Sequence, residues 1–354
     1  MMVPRGTFAA MTIPEIADPI PPNPDSPEPY EVIERVNIGT AAVVYRAVQT
    51  ASQKEVLFKV FSPAATHPMD TERVVMMRPA LMQLKHPHIA PVLDLYEDDE
   101  GCVLVIPYLV GCGGNSFPHQ GKLSQIATFQ VATQLCSTLL AGEHLSFPHG
   151  DIKPSNLAIA DRESQGFFIQ LQDWGLSLCR DDQPHETLQH LAPERLQGYP
   201  ASIQSDLFSI GATLWFLLTG THAVEGQTRQ DFAAAWAKFD GQKLVKLRPD
   251  LNVHFLEWLG WIMRINPLDR PTSAAEAMSV LNQVVAYATN NPAIAPPETV
   301  YEAPVPQTTL KDKIRTGIIG LTVLSMLIFA FTRWAESKWG PEWPQEIKHI
   351  WSGN

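Results

Sequence analysis

His149-Gly150-Asp151-Ile152-Lys153-Pro154-Ser155-Asn156 places a carboxylate, an ammonium and a carboxamide two and then three residues apart. Asp173-Trp174-Gly175 follows seventeen residues after Asn156, and Ala192-Pro193-Glu194 comes later. The chain on either side of this stretch has two different rhythms. Upstream, β-branched and aromatic runs alternate over Tyr30 to Val36, Ala42 to Val48, Glu55 to Phe61, Val92 to Leu95 and Cys102 to Tyr108, which predicts five short strands in a small antiparallel sheet. From Leu123 onward the apolar period turns helical, over Ile126 to His144, Ser205 to Leu218, Arg229 to Phe239, Phe255 to Ile265 and Ser273 to Tyr287. A sheet-rich unit followed by a larger, mainly helical one is an α+β arrangement.

The order and spacing of His149 to Asn156, Asp173-Trp174-Gly175 and Ala192-Pro193-Glu194, with Lys59 upstream and Asp206 and Arg270 downstream, resemble the protein kinase family over about residues 30 to 287. The resemblance implies a bilobal protein-kinase-like fold and a Ser/Thr kinase dependent on ATP and Mg²⁺, with protein hydroxyls as substrate. It implies that Asp151 accepts the substrate hydroxyl's proton and that Asn156 and Asp173 supply oxygen ligands to the metal. Lys153 is similar to the lysine of Ser/Thr kinases that approaches the γ-phosphate. Lys59, in Val56-Leu57-Phe58-Lys59, stands where the family pairs a lysine with the α- and β-phosphates. Gly39 would cover the phosphates, and Val44 with the segment from Ile106 through Tyr108 to Leu109 would frame adenine. Glu194 with Arg270 resembles a structural ion pair, and Asp206 is expected to bond the backbone of the His149 loop.

The chain departs from the family pattern in several places. Asn37 and Ala42 stand where the first and third glycines of the phosphate loop would be, so Gly39 alone survives. Counting back from Lys85-His86-Pro87-His88, Met77 takes the place of the glutamate that holds the strand lysine, and Pro79 falls inside the same predicted helix. Glu72 lies five residues earlier, about 140° round a helix, and is no simple substitute. This helix is expected to be short or displaced. Gly150 replaces an arginine that in many kinases reads a phosphorylated activation loop, so control by loop phosphorylation at Ser177 or Thr187 is not expected. Two readings stay open from these residues: a membrane-anchored Ser/Thr kinase, and a pseudokinase serving as a nucleotide-binding or scaffolding module.

The net charge of −11 over 354 residues, with no basic stripe, excludes a nucleic-acid partner. Cys102, Cys112, Cys136 and Cys179 form no C-x-x-C pair and read as reduced thiols. Residues 1–29 hold eight prolines and read as a disordered arm; residues 288–313 hold five and read as a linker. Thr316 to Thr332 is seventeen residues without a charge, about 25 Å as a helix at ~1.5 Å per residue, and predicts a single membrane helix over 314–333. That makes the lipid bilayer an expected partner. Lys311, Lys313 and Arg315 on its N-terminal side place the kinase-like domain in the cytoplasm, with a Trp-rich tail, 334–354, outside.

Overall fold

A computed structural model describes residues 30–38, 42–61, 70–98, 101–109, 111–116, 123–161 and 166–290. Gly39, the arm 1–29, most of the linker 288–313, the apolar stretch Thr316 to Thr332 and the tail lie outside the described residues. Among the described residues no helix is long and apolar enough to cross a membrane.

The alternating N-terminal runs form β1 (Tyr30–Ile38), β2 (Val43–Gln49), β3 (Glu55–Phe61), β4 (Asp94–Asp98) and β5 (Gly101–Pro107), a fully antiparallel sheet of order β1-β2-β3-β5-β4. β4 starts two residues later than the sequence suggests. Leu93 N–H already donates to Val105 O, but the ladder proper pairs Asp94 with Val105 and runs on to Asp98 opposite Gly101. The period of two sorts the sheet into two faces. Tyr45, Ala47, Val56, Phe58, Val60, Val103 and Val105 make a small cluster of their own, whereas Leu104, Ile106 and Phe61 join the main core.

The expected single helix after the sheet's third strand is two short ones, α1 (Thr71–Met76) and α2 (Arg78–Gln83), with Met77 between them. Pro79 explains the break, because it has no N–H to give Val75 O and its fixed φ suits the start of a new helix. Asp70 caps α1 through Arg73 N–H, whereas α2 has no side-chain cap.

In the second lobe α3 (Gln125–His144) leads to a small sheet of β6 (Cys112–Gly113), β7 (Leu157–Asp161) and β8 (Phe167–Leu171). Beyond it come α4 (His185–Leu188), α5 (Pro193–Leu196), α6 (Ile203–Thr219), α7 (Arg229–Ala237), α8 (Gln242–Leu247), α9 (Val253–Ile262) and α10 (Ala274–Asn290). α6 is the axis of this lobe. Leu207, Phe208, Ile210, Leu214, Leu217 and Leu218 are buried on it, the all-round apolar pattern of a core helix, and it packs on α3 and α9. A Ser202–Ser205 capping box opens it, and Gly220 at φ 75° closes it.

Arg270 ties the lobe to α5. Its guanidinium, fully buried, donates to Glu194 Oε1 at 2.6 Å and Oε2 at 2.8 Å, and to the carbonyls of Arg264, Gln204 and Ile265. The expected Glu194–Arg270 pair is therefore present as a bidentate fork. Removing one partner of such a pair strands a buried charge, at a cost of about 3–5 kcal/mol.

Candidate active site

The loop from His149 to Asn156 is held from beneath by Asp206, in the first turn of α6. Its carboxylate accepts from His149 N–H at 2.7 Å and Gly150 N–H at 2.9 Å, the bonds expected of it. Burial pushes the Asp206 carboxyl up to about 7, against the pull of the two amides. Gly150 has φ +80°, and a Cβ there would lie 2.8 Å from Leu178 Cδ2 and 2.9 Å from Ser177 Oγ. The left-handed backbone favours glycine where the family pattern led to arginine, while the two side-chain ends could give way.

His149 couples this loop to the Asp173 turn. Its buried ring donates from Nε2 to Gln172 O at 2.9 Å and accepts Asp151 N–H on Nδ1 at 3.1 Å, which fixes the neutral tautomer. Gln172 N–H donates to Asn156 O and Gly175 N–H to His149 O, so the two segments are cross-bonded. Trp174 stacks edge-on against His149 and donates from Nε1 to Phe147 O at 3.0 Å. Its ring lies so close to α3 that a Cβ on Gly142 would be 2.3 Å from Trp174 Cζ2.

Within this frame Asp151, Lys153 and Asn156 converge. Asn156, in the turn Pro154–Asn156, donates from Nδ2 to Asp151 O at 2.7 Å and Asp151 Oδ2 at 3.2 Å, leaving its Oδ1 for other partners. Asp151 Oδ1 is buried with no hydrogen-bond partner. Lys153 Nζ lies 3.1 Å from Asp151 Oδ2, 3.1 Å from Glu186 Oε1 and 2.7 Å from Thr187 Oγ1. Burial works against the Lys153 charge, but Asp151 and Glu186 outweigh it and its pKa lies above the ordinary value.

From the other lobe, Lys59 on β3 reaches Asp173 Oδ1 at 2.5 Å and Gln172 Oε1 at 3.2 Å. Burial alone would raise the Asp173 pKa; Lys59 reverses this and holds it below the usual carboxylate value. Asp173 sits at φ +62°, an uncommon conformation for a residue with a side chain. Val44 and Leu104 lie directly opposite Lys59 in the ladder, and Ile106 opposite Leu57, so all share the Lys59 face. Tyr108 carries its ring under the Arg46 guanidinium, 5.1 Å away, and its N–H is committed to Glu55 O. Glu72 is exposed, and the Met77 sulfur lies 3.9 Å from Cys179 Sγ.

Of the predicted site residues, the structure thus brings together Asp151, Lys153, Asn156, Lys59 and Asp173, with Val44 and Ile106 on the adjoining sheet face. Gln172 and Glu186 were not singled out in the sequence, and Thr187 was read there only as a loop hydroxyl, not as a partner of Lys153. Gln172 has only its place beside Asp173 as a signal, and Thr187 only a hydroxyl shortly before Ala192. Ser177 and Thr187 are buried. Cys102, Cys136 and Cys179 are buried, and burial pushes Cys136 up to about 12 and Cys179 to about 11, so these two stay protonated.

A family model described as the protein kinase domain matches residues 30–284. The serine/threonine-protein kinase pkn3 of Myxococcus xanthus is 25% identical over 81% of this chain and 57% of its own length. The serine/threonine-protein kinase PknK of Mycobacterium tuberculosis is 28% identical over 72% of this chain and 23% of its own. The chain thus spans little more than half of one relative and about a quarter of the other. Among solved structures, Rad53 1–466 in complex with AMP-PNP superposes with a TM-score of 0.59 at 24% identity, over 70% of this chain and 64% of that one. The Mycobacterium tuberculosis PknI kinase domain gives 0.58 at 22%, over 72% and 96%. These two show the fold.

The buried imidazoles give the site an acid limit. Burial lowers the pKa of His149, against Asp151 and Asp173, and lowers that of His190 further, helped by His222 and Lys153. A depressed pKa means the unfolded chain binds the proton first, so stability is full above about pH 6.5 and is lost as pH falls below it. The Asp206 carboxyl, raised to about 7, works in the opposite sense, so the imidazole contribution is read as a difference: from pH 8 to pH 5 the thermal midpoint of the unsubstituted chain should fall relative to that of His190→Phe on the acid side of 6.5.

Proposed function

We propose that this chain, which belongs to the protein kinase family, transfers the γ-phosphoryl group of ATP to serine or threonine hydroxyls of proteins while anchored to a membrane. The observation that carries the reading is Asp151 Oδ1: a buried carboxylate oxygen with no partner, beside an Oδ2 that Asn156 and Lys153 already hold. An oxygen fixed in this way is suited to accept the proton of an incoming hydroxyl. In the step proposed, the substrate Oγ–P bond forms as the bond from Pγ to the β,γ-bridging oxygen breaks. The hydroxyl proton passes to Asp151 and ADP leaves.

Lys59 and Lys153 are read as the cations that hold the phosphates from the two lobes. Among the described residues no group of three or more His, Cys, Asp or Glu could hold a metal by itself. The donor set Asn156 Oδ1 and Asp173 carboxylate, two hard oxygens, nevertheless fits Mg²⁺ shared with phosphate oxygens, which is how this cation is usually bound. Bound there, it would neutralise triphosphate charge. Val44 and Ile106 supply the apolar face for adenine, and Gly39 would cover the phosphates. Tyr108 lends the backbone of its segment rather than its own N–H.

Met77, in place of a glutamate, removes the family's usual restraint on Lys59. Asp173 and Gln172 hold the ammonium instead, which favours a slow kinase over an inert scaffold. Ser177 and Thr187 are buried, and Gly150 carries no cation for a phosphate, so activity is independent of loop phosphorylation. The full chain with labelled ATP, Mg²⁺ and a generic protein substrate should label serine and threonine, and Asp151→Asn should lose at least about 10²-fold. Equal signal from the two proteins would defeat the enzyme reading and leave a pseudokinase.

Anchoring rests on Thr316 to Thr332 and its basic flank. The full chain is expected to stay with membranes through alkaline carbonate extraction, and a chain lacking 314–333 to appear in the soluble fraction; release of the full chain by carbonate would refute anchoring.

A further inference from the structure

Lys153 has three N–H donors, and all three are taken: by Asp151 Oδ2, Thr187 Oγ1 and Glu186 Oε1. A phosphate oxygen that comes to this ammonium has to displace one of the three. The acceptors are not equally easy to remove. Asp151 is buried and held by Asn156. Thr187 is completely buried, and stripping its hydroxyl of a partner leaves an unsatisfied polar group. The Glu186 side chain is 54% exposed, so its carboxylate can exchange Lys153 for water at little cost.

We propose that Glu186 is a built-in stand-in for the γ-phosphate, a carboxylate that occupies the phosphate-facing donor of Lys153 until a triphosphate displaces it. The inference rests on the reading of Lys153 as a γ-phosphate ligand. It makes Glu186 a positioning residue with two effects. Before nucleotide arrives, it neutralises a buried ammonium and keeps Lys153 extended between Asp151 and Thr187. When a triphosphate binds, it competes with the γ-phosphate, and with that group alone, because the α- and β-phosphates are assigned to Lys59.

The competition predicts a nucleotide-selective signature that a merely structural surface residue would not give. Affinities of the full chain in detergent for Mg-AMP-PNP and Mg-ADP, measured by calorimetry, are to be compared with those of Glu186→Gln and Glu186→Ala. Asp181→Asn removes the same charge from a fully exposed side chain of the same segment and controls for net charge. Both Glu186 variants should gain roughly two- to tenfold in AMP-PNP affinity, the range of a half-exposed ion pair with a charge-assisted hydrogen bond, while ADP changes by less than twofold. Asp181→Asn should leave the ratio of the two affinities where it was. If AMP-PNP and ADP move together in the Glu186 variants, or AMP-PNP binds no tighter, the inference is overturned and the kinase reading stands. If none of the proteins binds either nucleotide, the phosphate reading of Lys153 falls and the inference with it.

Discussion

The structure depends on one buried carboxylate. Asp206, on the central helix of the large lobe, accepts the amides of His149 and Gly150, and every later residue of the loop takes its place from that anchor. Without it, two buried N–H groups would lose their partner, a penalty of about 1–3 kcal/mol each. The consequences extend outward. His149 bridges from Asp151 N–H to Gln172 O, which sets the height of the Asp173 turn, and Asp173 in turn receives Lys59 from the opposite lobe. The chemistry-bearing atoms are thus suspended from the least exposed part of the molecule, which is what a site that works by positioning requires.

The small lobe meets this anchor with less support than its relatives' pattern would suggest. Pro79 splits the helix, and Met77 turns its sulfur to Cys179 rather than a carboxylate to Lys59. In exchange the first helix is tied to the segment that follows the Asp173 turn: Asp70 N–H donates to Cys179 O at 2.8 Å, and Arg73 lies 3.8 Å from Asp181. The lysine is therefore placed by its strand, by Gln172 and by Asp173. A carboxylate that serves both as partner of the lysine and as candidate metal ligand has to divide its two oxygens between them.

Much of this was legible in the sequence, for reasons that can be named. Strands β1 to β3 and helices α3 and α10 carry periods of two or 3.6, so their existence followed from burial of one face, while α6 was legible as a long apolar run. The break at Pro79 followed from a missing donor. Asp151, Asn156, Asp173 and Lys59 were found as candidates because their spacing is a joint pattern that chance seldom makes. The Glu186 and Thr187 contacts with Lys153 were not legible, since they depend on the path of an aperiodic segment thirty-odd residues downstream. The start of β4 was missed because Val92 is buried like a strand residue, while the hydrogen-bond ladder begins two residues later. The backbone preference for glycine at position 150 was also hidden, because a single letter does not reveal a φ of +80°.

The central claim is that Lys59 and Asp173, 114 residues apart in the chain, act on one and the same nucleotide. A double-mutant cycle on Mg-AMP-PNP binding, with Lys59→Met, Asp173→Asn and the pair together, tests it most directly. The account predicts strong non-additivity, the double variant losing far less than the product of the two single losses. Strictly multiplicative losses, or no loss from either change, would contradict it.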